Sequence, residues 1–352
     1  MFNRSRLTLA RKRRGMTKVE LAEAAGIATR TLTAYEAEDR EPSDDVVTAF
    51  AAALEFPIDF FYADDVEVPS AESASFRAYS TMTAGQRDQA LGAGGLTIEL
   101  SKWIGERFRL PKIDLPDLPQ TDPETAAADV RAVWELGQKP IRNMVYLLES
   151  KGVRVFSLSL DCLAVDAFSM WREGVPYVFL NTGKSGERSR MDAAHELGHL
   201  VMHHDTVHRE TPLGVKEMED EARNFGAALL MPKEDVIAQV SGLVTVRNLI
   251  TWKHRWNVSV TALAHRIHRL GLINDWQYRH LCMQMSQKRY RKDEPEPSRR
   301  ETSQVLAKVF DTLRGEGMTK RKIASELRVR EEDLESAVFG LIVMPVGGSR
   351  SR

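Results

Sequence analysis

The chain is 352 residues long, with 43% hydrophobic residues, 28% charged residues and a formal net charge of −1. This composition is typical of globular proteins and excludes a collagen-like or wholly disordered chain, and no apolar run reaches the roughly 18 to 20 residues of a membrane helix. At about 100 to 200 residues per domain, the length predicts two or three folded units. The basic start lacks the apolar core of a secretory signal, so we expect a cytoplasmic protein with no membrane partner.

The first 62 residues predict a run of five short helices. Gly15 and Gly26 interrupt the helical pattern, and Thr17 with Glu20 three residues later is the pattern of a capping box at a helix start. Pro42 and Ser43 open the last helix of the run. The segment therefore predicts a compact all-α unit.

This unit has the features of a helix-turn-helix, because Ala22 supplies a small residue inside the first helix and Gly26 a flexible residue in the turn. The second helix would present its N-terminal residues to base edges. Residues 1–30 hold eight Lys or Arg against two Glu, a basic patch that suits phosphate contacts. The predicted DNA-binding residues are Thr29, Arg30, Thr31, Thr33, Arg13 and Lys18.

Residues 5–62, including Tyr35-Glu36 and Arg40-Glu41-Pro42, resemble the XRE family of Cro-like and phage-repressor-like helix-turn-helix domains. The resemblance implies a transcriptional regulator that binds a double-stranded DNA operator, with a homodimer as the default state. The alternative is a helical protein-interaction module of the same shape.

Beyond this unit, the acidic stretch 64–72 predicts a linker, 76–110 a mainly helical region, and a run of prolines up to Pro123 a domain boundary. Strands are predicted at Val153–Leu160 and Tyr177–Leu180, followed by long helices at Met191–His203 and Glu217–Leu230. The predicted fold class is mainly α with a small β-sheet (α+β). The predicted domains are a DNA-binding domain at 1–65, a helical linker region at 66–122, a catalytic domain at 123–287 and a C-terminal helical region at 288–352.

The strongest chemical signal is the H-E-x-x-H pattern formed by His195, Glu196 and His199. Two histidines four residues apart lie on one helix face, at the spacing that a single Zn²⁺ needs from two imidazoles. Glu196 is then placed to act as the general base without ligating the metal. Apolar and small neighbours predict a buried helix, where paired histidines without a metal would be costly.

Zinc needs a third protein ligand and an open position for water. A metzincin-type third ligand is not favoured, because Asp205 stands where that pattern has a histidine. The helix at Glu217–Leu230 offers two carboxylates, Glu219 and Glu221, on either side of its apolar stripe. The residues themselves favour Glu219 and leave Glu221 open.

Three segments of this region form a further pattern: Glu187-Arg188, Ala194 to His199, and Glu219 through Leu230-Met231-Pro232. Together they resemble the ImmA/IrrE family of bacterial metallopeptidases. The resemblance covers roughly residues 125–285 and implies a zincin-like fold with Glu219 as the third zinc ligand. It further implies a protein substrate such as a partner repressor. Arg223 stands where the family usually has an Asn, with Asn224 displaced by one position.

These observations predict a DNA-binding regulator that carries a zinc-dependent endopeptidase. The alternative is a transcription factor whose peptidase-like domain senses a ligand or holds a dimer without significant proteolysis, which Arg223 favours. We also expect the edge of the strand at Tyr177–Leu180 to align an extended peptide over the metal.

The C-terminal helical region repeats the letters Gly-Met-Thr-Lys of residues 15–18 at residues 317–320. The repeat indicates either a second helix-turn-helix or, as the favoured interpretation, a coincidental helical hairpin. The segment before it, rich in Arg, Lys, Glu and Pro, predicts a surface linker.

Overall fold

In a computed structural model, the chain is described for residues 1–37, 40–66, 68, 75–76, 83–158, 166–181, 183–204 and 212–338. These residues form sixteen α-helices and four short strands, so the fold is mainly α with a small β-sheet, as the sequence predicts. No helix among them is both long and apolar enough to cross a membrane.

The N-terminal unit is all-α and has its own buried core. Thr17 caps its second helix through a capping box with Glu20, as predicted, and Gly26 takes a φ of 67° in the following turn. Leu21, Leu32 and Phe50 are fully buried between the helices. The elements are α1 Arg4–Arg13, α2 Lys18–Ala24, α3 Thr29–Glu36, α4 Asp44–Leu54 and a 3₁₀ turn at Ile58–Tyr62.

A long helix, α5 at Ala84–Arg107, packs against this unit. A Cβ atom on Gly92 would lie 3.2 Å from the Cα of Arg13, so α1 and α5 meet at a close backbone approach. The predicted helical region began at Phe76, which instead lies in a two-residue strand. The described part of the predicted acidic linker is limited to residues 64–66 and 68.

The sheet has four strands: β1 Ser75–Phe76, β2 Arg154–Ser157, β3 Ala167–Arg172 and β4 Val175–Leu180. Their order is β1-β3-β4-β2, with β4 parallel to β2 and antiparallel to β3. Because β4 is paired on both sides, the hypothesis that its edge binds an extended peptide is wrong. Within the part of the chain that the structure describes, the outer edge of β3 is paired at Phe168 and Ser169, by β1.

Eight further helices lie between Pro123 and Gln287 in the sequence. Among them, α8 lies directly on β3, since Trp171 Nε1 donates a hydrogen bond to the carbonyl of Leu200 at 3.0 Å. The bounds are α6 Pro123–Val133, α7 Met144–Ser150, α8 Gly186–Met202, α9 Pro212–Leu230, α10 Lys233–Gln239, α11 Val246–Trp256, α12 Val260–Arg269 and α13 Asp275–Gln287.

Three more helices end the described chain: α14 Gln304–Gly315, α15 Lys320–Glu326 and α16 Glu331–Val338. The segment before α14 is largely exposed, as expected for a surface linker, but it is also bonded to α7 and α8. Glu301 accepts hydrogen bonds from the N–H groups of Met144 and Val145 at the start of α7, at 2.7 and 3.1 Å, and forms an ion pair with buried Arg190 of α8. These partners are more than 100 residues away in sequence, so the sequence does not indicate them.

Candidate metal centre and nucleic-acid interface

Helix α8 carries the two histidines of the H-E-x-x-H pattern into the interior. Ser185 caps the helix by accepting from the N–H of Arg188 at 3.4 Å. His195 and His199 are 2% and 5% exposed. Because they are four residues apart, both imidazoles lie on the same helix face, and their Nε2 atoms are 3.0 Å from each other.

Two glycines let α9 approach α8 closely enough to add a third group. A Cβ atom on Gly226 would lie 3.0 Å from the backbone nitrogen of His195, and one on Gly198 would lie 3.1 Å from the Cα of Ala222. This contact places Glu219 of α9 opposite the histidines. Its carboxylate oxygens lie 3.3 Å from His195 Nε2 and 3.2 Å from His199 Nε2.

The spacing of these three groups fits a tetrahedral metal ion. Ligands at about 2.0 to 2.1 Å from a tetrahedral Zn²⁺ lie about 3.3 Å from each other. The observed separations of 3.0, 3.2 and 3.3 Å are close to this value. Among the described residues, His195, His199 and Glu219 are the group of three whose ligand atoms converge in this way.

The protonation states also fit metal binding. Burial lowers the pKa of His199, which favours the neutral imidazole. Burial works against the Glu219 carboxylate, but the neighbouring His195 and His199 outweigh it and hold the pKa of Glu219 below its ordinary value. Neutral imidazoles and a carboxylate are the forms that bind Zn²⁺.

Glu196 points toward the sheet from the same helix. It is 1% exposed, and its Oε2 accepts a hydrogen bond from Ser169 Oγ of β3 at 2.7 Å. The sequence analysis missed Ser169 because β3 itself was not predicted. A carboxylate fixed beside the histidine pair is suited to hold and deprotonate a water molecule.

A second carboxylate supports the metal site from outside. His199 Nδ1 lies 3.0 Å from His203 Nδ1, and His203 Nε2 lies 2.9 Å from Glu221 Oε2. Glu221, the alternative third ligand, is therefore directed to His203. Such outer partners fix the orientation of a ligand imidazole and raise its basicity.

Arg223 and Asn224, the departure from the family pattern, lie away from the three ligand groups. The Arg223 side chain is 46% exposed and pairs with Asp220 at 2.5 Å. Asn224 lines a cavity of about 290 Å³ together with Glu221, His265 and other residues of α6, α9 and α12. Asp205, considered for a metzincin-type site, lies outside the described residues.

The predicted DNA-reading face lies at the start of α3. Thr29, Arg30 and Thr33 are exposed and Thr31 is half-buried. Thr33 Oγ1 donates to the carbonyl of Thr29 at 3.0 Å, within its own helix. Arg30 forms no ion pair with any residue that the structure describes, and an arginine in this position can reach a guanine edge.

The predicted basic patch is largely neutralised by ion pairs. Lys18 pairs with Glu36 at 3.1 Å and keeps a side chain that is 40% exposed. Arg13 is 3% exposed and pairs with Asp333 at 3.2 Å, so its guanidinium is not on the surface in this arrangement. Sequence reasoning could not detect this pair, because Asp333 lies 320 positions away. The other pairs are Arg6–Glu99, Arg11–Glu36, Lys12–Asp88 and Arg14–Asp333.

Two parts of the chain match known protein families. Residues 7–61 match the helix-turn-helix family and residues 148–268 match the IrrE N-terminal-like domain. The chain joins a helix-turn-helix domain to an IrrE N-terminal-like domain. The matched IrrE-like region contains His195, His199, Glu196, Glu219 and the strand residue Ser169. No curated protein matches the chain.

Proposed function

We propose that the chain is a DNA-binding transcriptional regulator with a zinc-dependent endopeptidase site. The observation that carries the proposal is the convergence of His195, His199 and Glu219 at tetrahedral spacing, with Glu196 held beside them. In this proposal the DNA-binding domain, residues 1–65, binds an operator as a homodimer. The peptidase domain, residues 123–287, hydrolyses a protein substrate such as a partner repressor. Residues 66–122 are the helical linker region between these domains, and residues 288–352 form the C-terminal helical region. We propose a cytoplasmic location for it.

His195, His199 and Glu219 would hold the zinc ion. When bound, zinc would lower the pKa of a water molecule and polarise a peptide carbonyl. Glu196 would accept a proton from the attacking water and pass it to the leaving amine, while the hydroxyl of Ser169 holds the carboxylate at Oε2. The buried surroundings strengthen these interactions because they exclude bulk water.

The structure supports a different peptide-binding edge from the one expected. Ser169 of β3 contacts Glu196 directly, so β3 is the strand next to the proposed base. An extended peptide that added to β3 would therefore pass beside the metal site. Because β1 already pairs with Phe168 and Ser169, such a peptide would have to displace β1 or lie beyond it.

Cleavage is tested with Glu196→Gln in zinc-loaded protein, using a peptide library generated from a bacterial proteome and mass spectrometry of the products. We expect the variant to keep zinc and to lose cleavage at least 100-fold, since general base catalysis contributes about 10² to 10⁴. Glu106→Gln is the matched control, because the Glu106 side chain is 73% exposed. Equal cleavage by Glu196→Gln and wild type would remove the peptidase proposal.

DNA binding is tested with Arg30→Ala on operator fragments selected from genomic DNA. If Arg30 reads a base, the variant loses about 1 to 3 kcal/mol of binding free energy. Arg289→Ala is the matched control, since the Arg289 side chain is 68% exposed and lies just after helix α13, outside the helix-turn-helix. An unchanged affinity and footprint for Arg30→Ala would contradict the assignment.

The second candidate function is a regulator whose IrrE-like domain binds zinc or a ligand without significant proteolysis. Arg223 favours it, because this position carries a solvent-directed ion pair instead of an amide. A protein that holds one zinc per chain, binds its operator and leaves the whole peptide library uncut would support this candidate over the peptidase.

A further inference from the structure

The last three helices repeat the architecture of the first three in the same register. A shift of 302 positions places α15 on α2, both seven residues long, and α16 on α3, both eight residues long. The same shift relates Thr17 to Thr319, and each threonine caps the helix that follows it. The repeated letters Gly-Met-Thr-Lys lie where both units turn from one helix into the next.

The turns of the two units also agree. Gly15 and Gly317 both have positive φ angles, 66° and 75°, and so do Gly26 and its counterpart Arg328, 67° and 55°. The corresponding backbone hydrogen bonds Ile27 N to Ala22 O and Val329 N to Ala324 O are both 2.9 Å long. Buried positions correspond as well: Leu21 with Ile323, Ala22 with Ala324, and Leu32 with Leu334.

Residues 304–338 are thus a second helix-turn-helix, and the interpretation of the repeat as a coincidental hairpin is not supported by this geometry. Its second helix differs from α3 in charge. Where α3 begins Thr29-Arg30-Thr31, α16 begins Glu331-Glu332-Asp333, and Glu335 takes the place of Thr33. Four carboxylates on a reading helix oppose the approach of a phosphate backbone.

Glu332 and Glu335 pair with Arg330 and Lys320 of the second unit itself. The carboxylate of Asp333 instead pairs with the N-terminal unit. Asp333 is 8% exposed and lies between two arginines at the end of α1. Arg14 donates two hydrogen bonds to it, at 2.8 and 2.7 Å, and Arg13 lies 3.2 Å away. Arg14 also donates to the carbonyl of Leu54, so the contact includes the end of α4. A bidentate arginine–carboxylate pair in a buried position is directional and strong.

A second charge pair extends this contact. Arg330, directly before α16, lies 3.0 Å from Glu55, which directly follows α4. Both pairs join the turn and reading helix of the second unit to the helix ends of the first unit. At Asp333 the contact is acidic on α16 and basic at the end of α1, whereas the Arg330–Glu55 pair has the opposite polarity.

We propose that the C-terminal helix-turn-helix is a protein-docking module that uses its reading-helix face to bind the basic end of the N-terminal DNA-binding domain. In this arrangement the carboxylate of Asp333 takes the place that a DNA phosphate would otherwise have beside Arg13 and Arg14. Docking and phosphate contacts by these two arginines exclude each other.

The docking is tested by amide hydrogen exchange of the full chain with Asp333→Asn. We expect exchange in residues 4–14 and 331–338 to rise at least tenfold. Asp311→Asn is the matched control, because Asp311 is 68% exposed on α14 and forms only a local pair with Arg314. Arg14→Gln tests the same contact from the other side, so the proposal stays testable if the Asp333 variant does not fold.

The same exchange measurement with a mixed-sequence DNA duplex distinguishes docking from DNA reading. The proposal predicts that residues 331–338 gain no protection on addition of DNA. Protection of that segment by DNA would overturn the proposal. It would also be overturned if Asp333→Asn and Arg14→Gln both exchanged like Asp311→Asn.

Discussion

Ser169 is the residue that connects the sheet to the chemistry of the site. Its hydroxyl donates to Glu196 Oε2 at 2.7 Å, and both residues are buried. A hydrogen bond to a charged group is worth about 1.5 to 3 kcal/mol. In the proposed mechanism, Ser169 is therefore a positioning residue for the general base.

Ser169→Ala should lower kcat at least tenfold and leave KM and the zinc content unchanged, because the carboxylate loses its orientation but the metal ligands keep theirs. Steady-state kinetics with a cleaved library peptide, together with metal analysis, measures both quantities. A variant with the kcat of wild type would show that Ser169 does not position the base.

Glu187 supplies a pH-dependent contribution to stability. Its carboxylate accepts from Lys253 Nζ at 3.1 Å and from the N–H of Ser298 at 2.7 Å. Burial opposes ionisation, yet these partners outweigh it and lower the pKa of Glu187 below its ordinary value of 4.5. A lowered pKa means that the stabilisation is complete above about pH 4.5 and is lost as the pH falls through the folded-state pKa.

Glu187→Gln should therefore reduce the free energy of unfolding at pH 7 by about 1.5 to 3 kcal/mol, since it removes a charged hydrogen-bond partner of buried Lys253, which keeps Glu294 at 3.0 Å. The difference from wild type should shrink as the pH is lowered below 4.5. Urea unfolding at several pH values measures this, with Glu106→Gln as an exposed control. A difference that stays constant down to the acid transition would rule out the ionised pair as its source.

At the scale of elements, the closeness of α8 and α9 forms the metal site. Gly198 and Gly226 leave no room for side chains, because added Cβ atoms would lie about 3 Å from the partner helix. The sequence indicated the two helices but not the closeness of their contact. The position of Glu219 depends on that contact.

Gly226→Ala should push the helices apart, lower the free energy of unfolding by about 1 to 3 kcal/mol and weaken zinc binding. Gly105→Ala is the control, since a Cβ atom there meets nothing within 4 Å and alanine favours a helix. Thermal unfolding and zinc titration measure the two effects. If Gly226→Ala bound zinc as tightly as Gly105→Ala, the close helix contact would not position Glu219.

Elements could be predicted from sequence where their residues follow a local helical or strand pattern, and could not be predicted where that pattern is missing. The capping box at Thr17 and the i, i+4 histidines are local patterns, and both lie where expected. Strand β3 was missed because four of its six residues are consecutively buried, which removes the alternation that marks a strand. The central position of β4 follows from strand order, which local patterns do not encode.

At the scale of the whole molecule, long-range polar contacts connect parts of the chain that are far apart in sequence. Arg190 binds Glu301, Glu149 accepts from Ser303 and Gln304, and Arg14 binds Asp333. The sequence separation of each pair exceeds 100 residues, so the sequence alone suggested a free basic patch and a linker without such contacts. These contacts join the N-terminal unit to α16, and the segment before α14 to α7 and α8.

We propose that His195, His199 and Glu219 together bind one zinc ion. Metal analysis of the purified full chain, with Glu219→Ala and with Glu221→Ala as a matched control on the same helix, tests it most directly. We predict one zinc per chain in wild type, loss of zinc in Glu219→Ala, and retention of at least part of it in Glu221→Ala, which only removes the partner of His203. Full zinc retention in Glu219→Ala, or a wild-type chain that binds no zinc, would contradict the account.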